Sequence, residues 1–184
     1  MNRPGMDVFR SPLTLAKALF SRASSTGMAY DAYEGNRPVE VCFSSFVGLF
    51  VRCELIRGII GLPRAELFVY RDDSLYSLAI TRAGYKLLFV PDIRFFHACS
   101  TPSSGKRVYD PLWKAYYIIR NDIVFFKEFS GLYFPLILPF VLAKYLVHFG
   151  GYKDKKRFLK LFILALTDGL CGFFSRKFID ISSM

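Results

Sequence analysis

The chain has 184 residues and a formal net charge of +10, with 25 Lys and Arg against 15 Asp and Glu, and 53% of it is hydrophobic, including 20 Phe and 11 Tyr. That length suffices for one domain with a real core, and the apolar share exceeds what a soluble domain usually carries. The basic balance implies an anionic partner, and nucleic acid ranks last among the choices because no aromatic-basic RNA signature and no DNA-binding helix pattern is present.

In chain order, residues 1–38 read as a lead segment with one helical stretch, Leu13 to Arg22, and then a Gly/Ser/Asn-rich connection through Pro38. Residues 39–110 alternate strand and helix signals. Leu67 to Tyr70 is an apolar-aromatic run that reads as a buried strand, placing Asp72 and Asp73 at its end, where α/β folds put their chemistry. Leu75, Leu78, Ala79 and Ala83 then recur at helical spacing, Gly84 stands where a C-terminal cap belongs, and Lys86 to Val90 reads as a second strand ending at Pro91. A Ser/Pro/Gly-rich loop, Ser100 to Asp110, closes this part.

Residues 111–184 are helical and apolar. Within Leu112 to Phe129, the residues Leu112, Tyr116, Ile119, Ile123 and Phe126 form one stripe, expected to pack on the sheet, while Lys114, Asn121 and Glu128 fall opposite. Leu132 to Phe149 is almost wholly apolar. Pro135, Pro139, Lys144 and His148 interrupt it, and it sits at the lower edge of the about 20 residues that span a bilayer, so an interfacial or core helix is expected. Lys153, Lys155, Lys156, Arg157 and Lys160 precede the apolar Leu161 to Leu166. A basic face beside an apolar one suits an anionic cytoplasmic leaflet, and a solvated charge run is the equal alternative. Asp168-Gly169 reads as a helix-ending turn. Cys42, Cys53, Cys99 and Cys171 lack paired metal spacing and no secretory signal precedes them, so free thiols in a reducing cytosol are expected.

The order Phe68-Val69-Tyr70-Arg71-Asp72-Asp73, a short helix, Arg82-Ala83-Gly84-Tyr85, Val90-Pro91-Asp92 and then His97 resembles the acceptor half of family 2 glycosyltransferases of the GT-A fold. Within that family it is most similar to the bacterial rhamnosyl- and galactofuranosyltransferase branch. Ser45 to Arg52 before Gly61-Leu62-Pro63, Tyr116-Tyr117 with Arg120-Asn121, and Thr167 to Leu170 agree, so the resemblance runs from about Val39 onward. It implies an α/β architecture, a partial GT-A (nucleotide-diphospho-sugar transferase) fold in residues 39–110, followed by a helical, membrane-associating C-terminal region in 111–184.

The resemblance also implies an inverting transfer from a nucleotide-sugar donor to a glycan or lipid-linked acceptor, in bacterial cell-surface polysaccharide synthesis, on the inner face of the cell membrane. A sugar hydroxyl is a poor nucleophile, so a carboxylate must take its proton as the new bond forms. By the resemblance Asp73 is that base and Asp72 its neighbour. His97, 24 residues after Asp73, completes a site for Mg or Mn beside the diphosphate, and such a cation suits imidazole and carboxylate donors. Met6-Asp7-Val8 looks like the tail of the family's Asp-Asp-Val motif, which makes Asp7 a second metal carboxylate. Arg120 and Asn121 would contact diphosphate or acceptor.

Plainer readings stand beside each of these. Asp7 also reads as a surface N-cap acid, His97 as a packed or solvated histidine, Asp72-Asp73 as a helix cap, and Arg120-Asn121 as the polar edge of a helix. The chain has Leu75 and Ala79 where the family has an acid and an arginine. Only 38 residues precede Val39, too few for the family's nucleotide-binding half. The expectation is therefore a chain with negligible sugar transfer by itself, and the alternative function is a non-catalytic remnant or membrane-associated binding module.

Overall fold

A computed structural model describes residues 35, 37–96 and 108–184, which fall into two compact units. The first takes the described residues up to Arg64 together with 72–96, and the second takes 65–71 together with 108–184. The described residues are mostly helical, with one small two-stranded sheet.

In the first unit β1 (Val39–Val41) pairs antiparallel with the later β2 (Leu87–Phe89), Val39 opposite Phe89 and Val41 opposite Leu87. Between them lie a single turn, α1 (Cys53–Leu55), running into a π-helical turn at Ile56–Ile60, and then α2 (Asp72–Arg82). Asp72 and Asp73 occupy the first turn of α2 and Arg82 the last, charges that complement the helix dipole at both ends. The helix stops as its sequence requires. Gly84 takes φ 86°, the Tyr85 N–H donates to the Ile80 carbonyl at 3.2 Å, and the Gly84 N–H donates to that of Thr81 at 3.1 Å, a Schellman motif. Leu75, Leu78 and Ile80 of α2 are buried, as are Val41 of β1 and Leu87 of β2.

The second unit is built on α3 (Trp113–Ser130), with α4 (Phe134–Leu146), α5 (Lys155–Cys171) and the short α6 (Phe178–Ser183) around it. The stripe Tyr116, Ile119 and Ile123 is fully buried and Phe126 nearly so. Its partner is α5, where the sequence reading expected the sheet: periodicity identifies an apolar face without identifying what covers it. Asn121, read as facing outward, is fully buried as well. Asp168 and Gly169 do not end α5, which continues to Cys171 and closes at Gly172 in the left-handed region. Gly169 serves close approach instead. A Cβ there would lie 2.9 Å from the Arg120 carbonyl oxygen and 3.0 Å from Ile123 Cβ. Because backbone cannot yield as a side-chain end can, Gly169→Ala should cost about 1–3 kcal/mol, read as a lowered urea midpoint. An unchanged midpoint would mean that α3 and α5 have slack at this crossing.

The run Leu67 to Tyr70 is not a strand. Ala65–Leu67 forms a 3₁₀ turn, and Phe68, Tyr70 and Arg71 then take φ of 64°, 68° and 64°. Three left-handed non-glycine residues in four positions cannot belong to an extended ladder.

Candidate functional site

The N-terminal turn of α2 carries the paired carboxylates. Asp73, the second residue of α2, accepts through Oδ1 from the Ser74 N–H at 2.6 Å and from the Ser74 hydroxyl at 3.2 Å, and so satisfies a free first-turn N–H from inside the helix rather than from the N-cap position. Its other oxygen accepts no hydrogen bond from the described residues, and both carboxylates are half-buried. Burial first, and the neighbouring Asp73 charge second, push the Asp72 carboxyl above the usual carboxylate range. A raised pKa makes a carboxylate a stronger proton acceptor, which is what activation of a hydroxyl demands.

Hydroxyls on α2 tie the preceding segment of the first unit to this turn. Ser77 Oγ accepts from the Ser44 N–H at 2.8 Å and lies 2.7 Å from the Asp73 carbonyl and 3.0 Å from that of Ser44. Thr81 donates to the Cys42 carbonyl at 3.0 Å and Tyr76 to that of Gly61 at 3.1 Å, with the Tyr76 ring edge-on to Phe46. The serine run Ser44-Ser45 is thereby fixed next to the helix start. Sequence reading did not single out Ser77 or Thr81; their spacing of four and eight residues from Asp73, on one helix face, was the available signal.

The residues just before Asp72 are held in the second unit by consecutive side chains of α3. The Asn121 amide nitrogen lies 3.0 Å from the Leu67 carbonyl oxygen, 2.8 Å from that of Val69 and 2.9 Å from that of Tyr70. Arg120 Nη2 donates to the carbonyls of Glu66 at 3.1 Å and Leu67 at 3.0 Å, and its Nε donates to Asn121 Oδ1 at 2.9 Å. Its guanidinium stacks 5.0 Å from the Tyr117 and Phe174 ring centres. Both residues are buried and committed to backbone, so in this structure their partners are carbonyl oxygens.

Asp122 completes the row. Its carboxylate receives Arg71 Nε at 2.5 Å, Lys144 Nζ at 2.9 Å and the Tyr145 hydroxyl. Burial alone would raise this carboxyl, but the Arg71 and Lys144 charges and the hydrogen bonds from Arg71 and Tyr145 outweigh it and hold the group well below the usual range. Asp122 went unremarked in the sequence, although it directly follows Arg120-Asn121. A comparable knot closes α5: Asp168 accepts from the Tyr116 hydroxyl at 2.7 Å and from Arg176 at 2.5 and 3.0 Å.

Asp7 and His97 lie outside the described residues. Among the described residues no group of three His, Cys, Asp or Glu side chains is placed to hold a metal ion.

Comparison with known proteins finds a distant relative. The dTDP-rhamnosyl transferase RfbF of Shigella flexneri is 26% identical over 149 residues, which cover 76% of this chain and 49% of that protein. The chain thus spans about half the length of this curated relative, and the similarity supports a distant glycosyltransferase-like relationship. No protein-family model matches the chain. No solved structure matches it.

Proposed function

We propose that this chain is the acceptor-side portion of an inverting, metal-dependent family 2 glycosyltransferase of the GT-A fold, moving a sugar from a nucleotide donor to a glycan or lipid-linked acceptor. The observation that carries the reading is the carboxylate pair: Asp72 and Asp73 open a helix, half-buried, in a chain related to a rhamnosyltransferase. In this reading the pair takes the acceptor hydroxyl's proton, Asp73 by the resemblance and Asp72 as the group whose proton affinity burial raises. His97 and Asp7 would hold Mg or Mn, whose charge offsets that of the leaving diphosphate. The test joins the chain to a nucleotide-binding segment and follows transfer of labelled sugar, with dTDP-rhamnose as the first donor. Transfer abolished by a chelator is expected. A joined protein that binds the nucleotide sugar yet transfers nothing to any lipid-linked acceptor would sink the reading.

The same reading places the protein peripherally on the cytoplasmic leaflet. On α5 the residues Lys156, Leu159, Lys160 and Ile163 are all exposed and stand at helical spacing, so cations and apolar side chains share one outward stripe. By length and composition alone the stretch Trp113–Gly151 could cross a bilayer, and its most apolar window is only 22% buried; α3 is largely buried within its unit, whereas α4 exposes Leu136, Phe140 and Leu146. Each lysine near an anionic surface contributes about 1 kcal/mol, screened over about 10 Å at 0.1 M salt. Flotation with anionic liposomes should therefore fall steeply as salt rises. Retention through both high salt and carbonate would instead identify an integral protein.

A further inference from the structure

Among the described residues, the non-glycine positions with positive φ are Phe68, Tyr70 and Arg71, and they sit directly before Asp72. The Val69 N–H donates to the Leu67 carbonyl at 2.8 Å, closing a three-residue turn around Phe68 at φ 64°. Turns of this hand are rare and strained, and a chain that merely had to bend here could have used glycine. What opposes the strain comes from α3, 51 to 54 residues further on. The Asn121 amide has two hydrogens, and three carbonyl oxygens converge on its nitrogen within 3.0 Å. Arg120 fixes that amide the right way round by donating to Oδ1, and Asp122 anchors the far end of the segment through Arg71. The Arg71 guanidinium is further seated 4.8 Å over the Phe125 ring centre.

We propose that Asn121, oriented by Arg120, is a positioning residue: its amide holds residues 67–70 in their left-handed turn and thereby fixes the stem from which Asp72 and Asp73 emerge. A backbone in sparsely populated conformations persists only where its surroundings over-determine it, and such strain gathers where a side chain must be aimed. A plug that served stability alone would have no need to impose left-handed backbone on the residues next to the carboxylates. The catalytic meaning of this clamp rests on the carboxylate pair being the base, whereas its mechanical action on the stem does not.

Nuclear magnetic resonance of the full chain tests it. In the unmodified chain the Asn121 side-chain amide protons should exchange slowly with solvent and lie close in space to residues 67–70; fast exchange overturns the proposal without any mutation. Asn121→Asp keeps the shape and loses every amide donation. It should speed exchange of the Phe68 and Val69 N–H groups by about tenfold or more and shift the carboxyl carbon resonances of Asp72 and Asp73. Adding Tyr70→Gly, which takes the left-handed conformation freely, should restore part of both signals. A folded Asn121→Asp protein with unmoved Asp72 and Asp73 resonances would make Asn121 purely structural and sink the proposal. Should that variant not fold, Asn121→Ser, which retains a single donor, is read the same way alongside the unmodified chain. If the clamp holds but Asp73→Asn leaves turnover intact in the joined enzyme, the functional reading alone fails.

Discussion

Asp122→Asn is expected to destabilise the second unit by about 3 to 5 kcal/mol near neutral pH, the usual consequence of removing one partner from a buried charge cluster. The wild-type carboxylate is fully buried, and the Arg71 and Lys144 side chains that meet it are only 13% and 15% exposed. An amide in its place removes the counter-charge that Asp122 gives to two largely desolvated cations. The pH dependence follows from the direction of the shift. The carboxyl is held below its usual range in the folded state, so its contribution is complete above the unfolded value of about 3.9 and is lost as pH falls below that. The gap between wild type and Asp122→Asn should therefore be widest at pH 7 and should narrow progressively below about pH 4. Trp113, the single tryptophan of the chain, lies in the same unit and reports its urea unfolding by fluorescence. A gap below about 1 kcal/mol at pH 7, or one that stays constant into acid, would show that water or rearrangement already relieves the cluster.

This cluster also shows where sequence reading stops. The helix at 72–82 was legible because its start, its stop and its apolar positions all point one way: acids in the first turn, Arg82 in the last, and Gly84 where the backbone must turn left-handed. Leu87–Phe89 was legible as a strand for similarly local reasons. Leu67 to Tyr70 was misread because its composition favours extension, and what bends it is an amide on another helix that no local window contains. The same omission misplaced Asn121. Its position opposite the apolar stripe of α3 reads as solvent-facing, yet residues 66–70 cover it and present carbonyl oxygens, so a polar side chain is the one that fits. Arg120 and Asn121, which the resemblance gives as diphosphate or acceptor contacts and the periodicity gives as the polar edge of a helix, donate to main-chain carbonyls of residues 66–70. Asp168-Gly169 erred in the opposite sense: an Asp-Gly pair signals a turn, but here the acid is satisfied by Tyr116 and Arg176 while the glycine lets α5 approach α3.

Asp73→Asn in the chain joined to a nucleotide-binding segment should lower turnover by about 10²- to 10⁴-fold while nucleotide-sugar binding persists, the range expected when a general base is lost and shape is kept. The structure sharpens the experiment, because Asp73 Oδ1 also accepts from a first-turn N–H of its helix. An asparagine side chain retains a carbonyl oxygen to accept from Ser74 N–H, so that bond survives the substitution and a fall in rate cannot be assigned to fraying of α2. Asp72→Asn supplies the comparison. Burial and the Asp73 charge raise the Asp72 carboxyl, so neutralising Asp73 should let Asp72 ionise more readily, and neutralising Asp72 removes the group with the raised proton affinity. If Asp73 is the base, Asp72→Asn should cost far less turnover than Asp73→Asn. If the larger rate loss falls on Asp72→Asn, the two roles are exchanged within the same pair. Turnover within a few-fold of the parent for both variants would reduce the pair to a helix cap, and the transferase reading of this chain would then lose the residues that carry it.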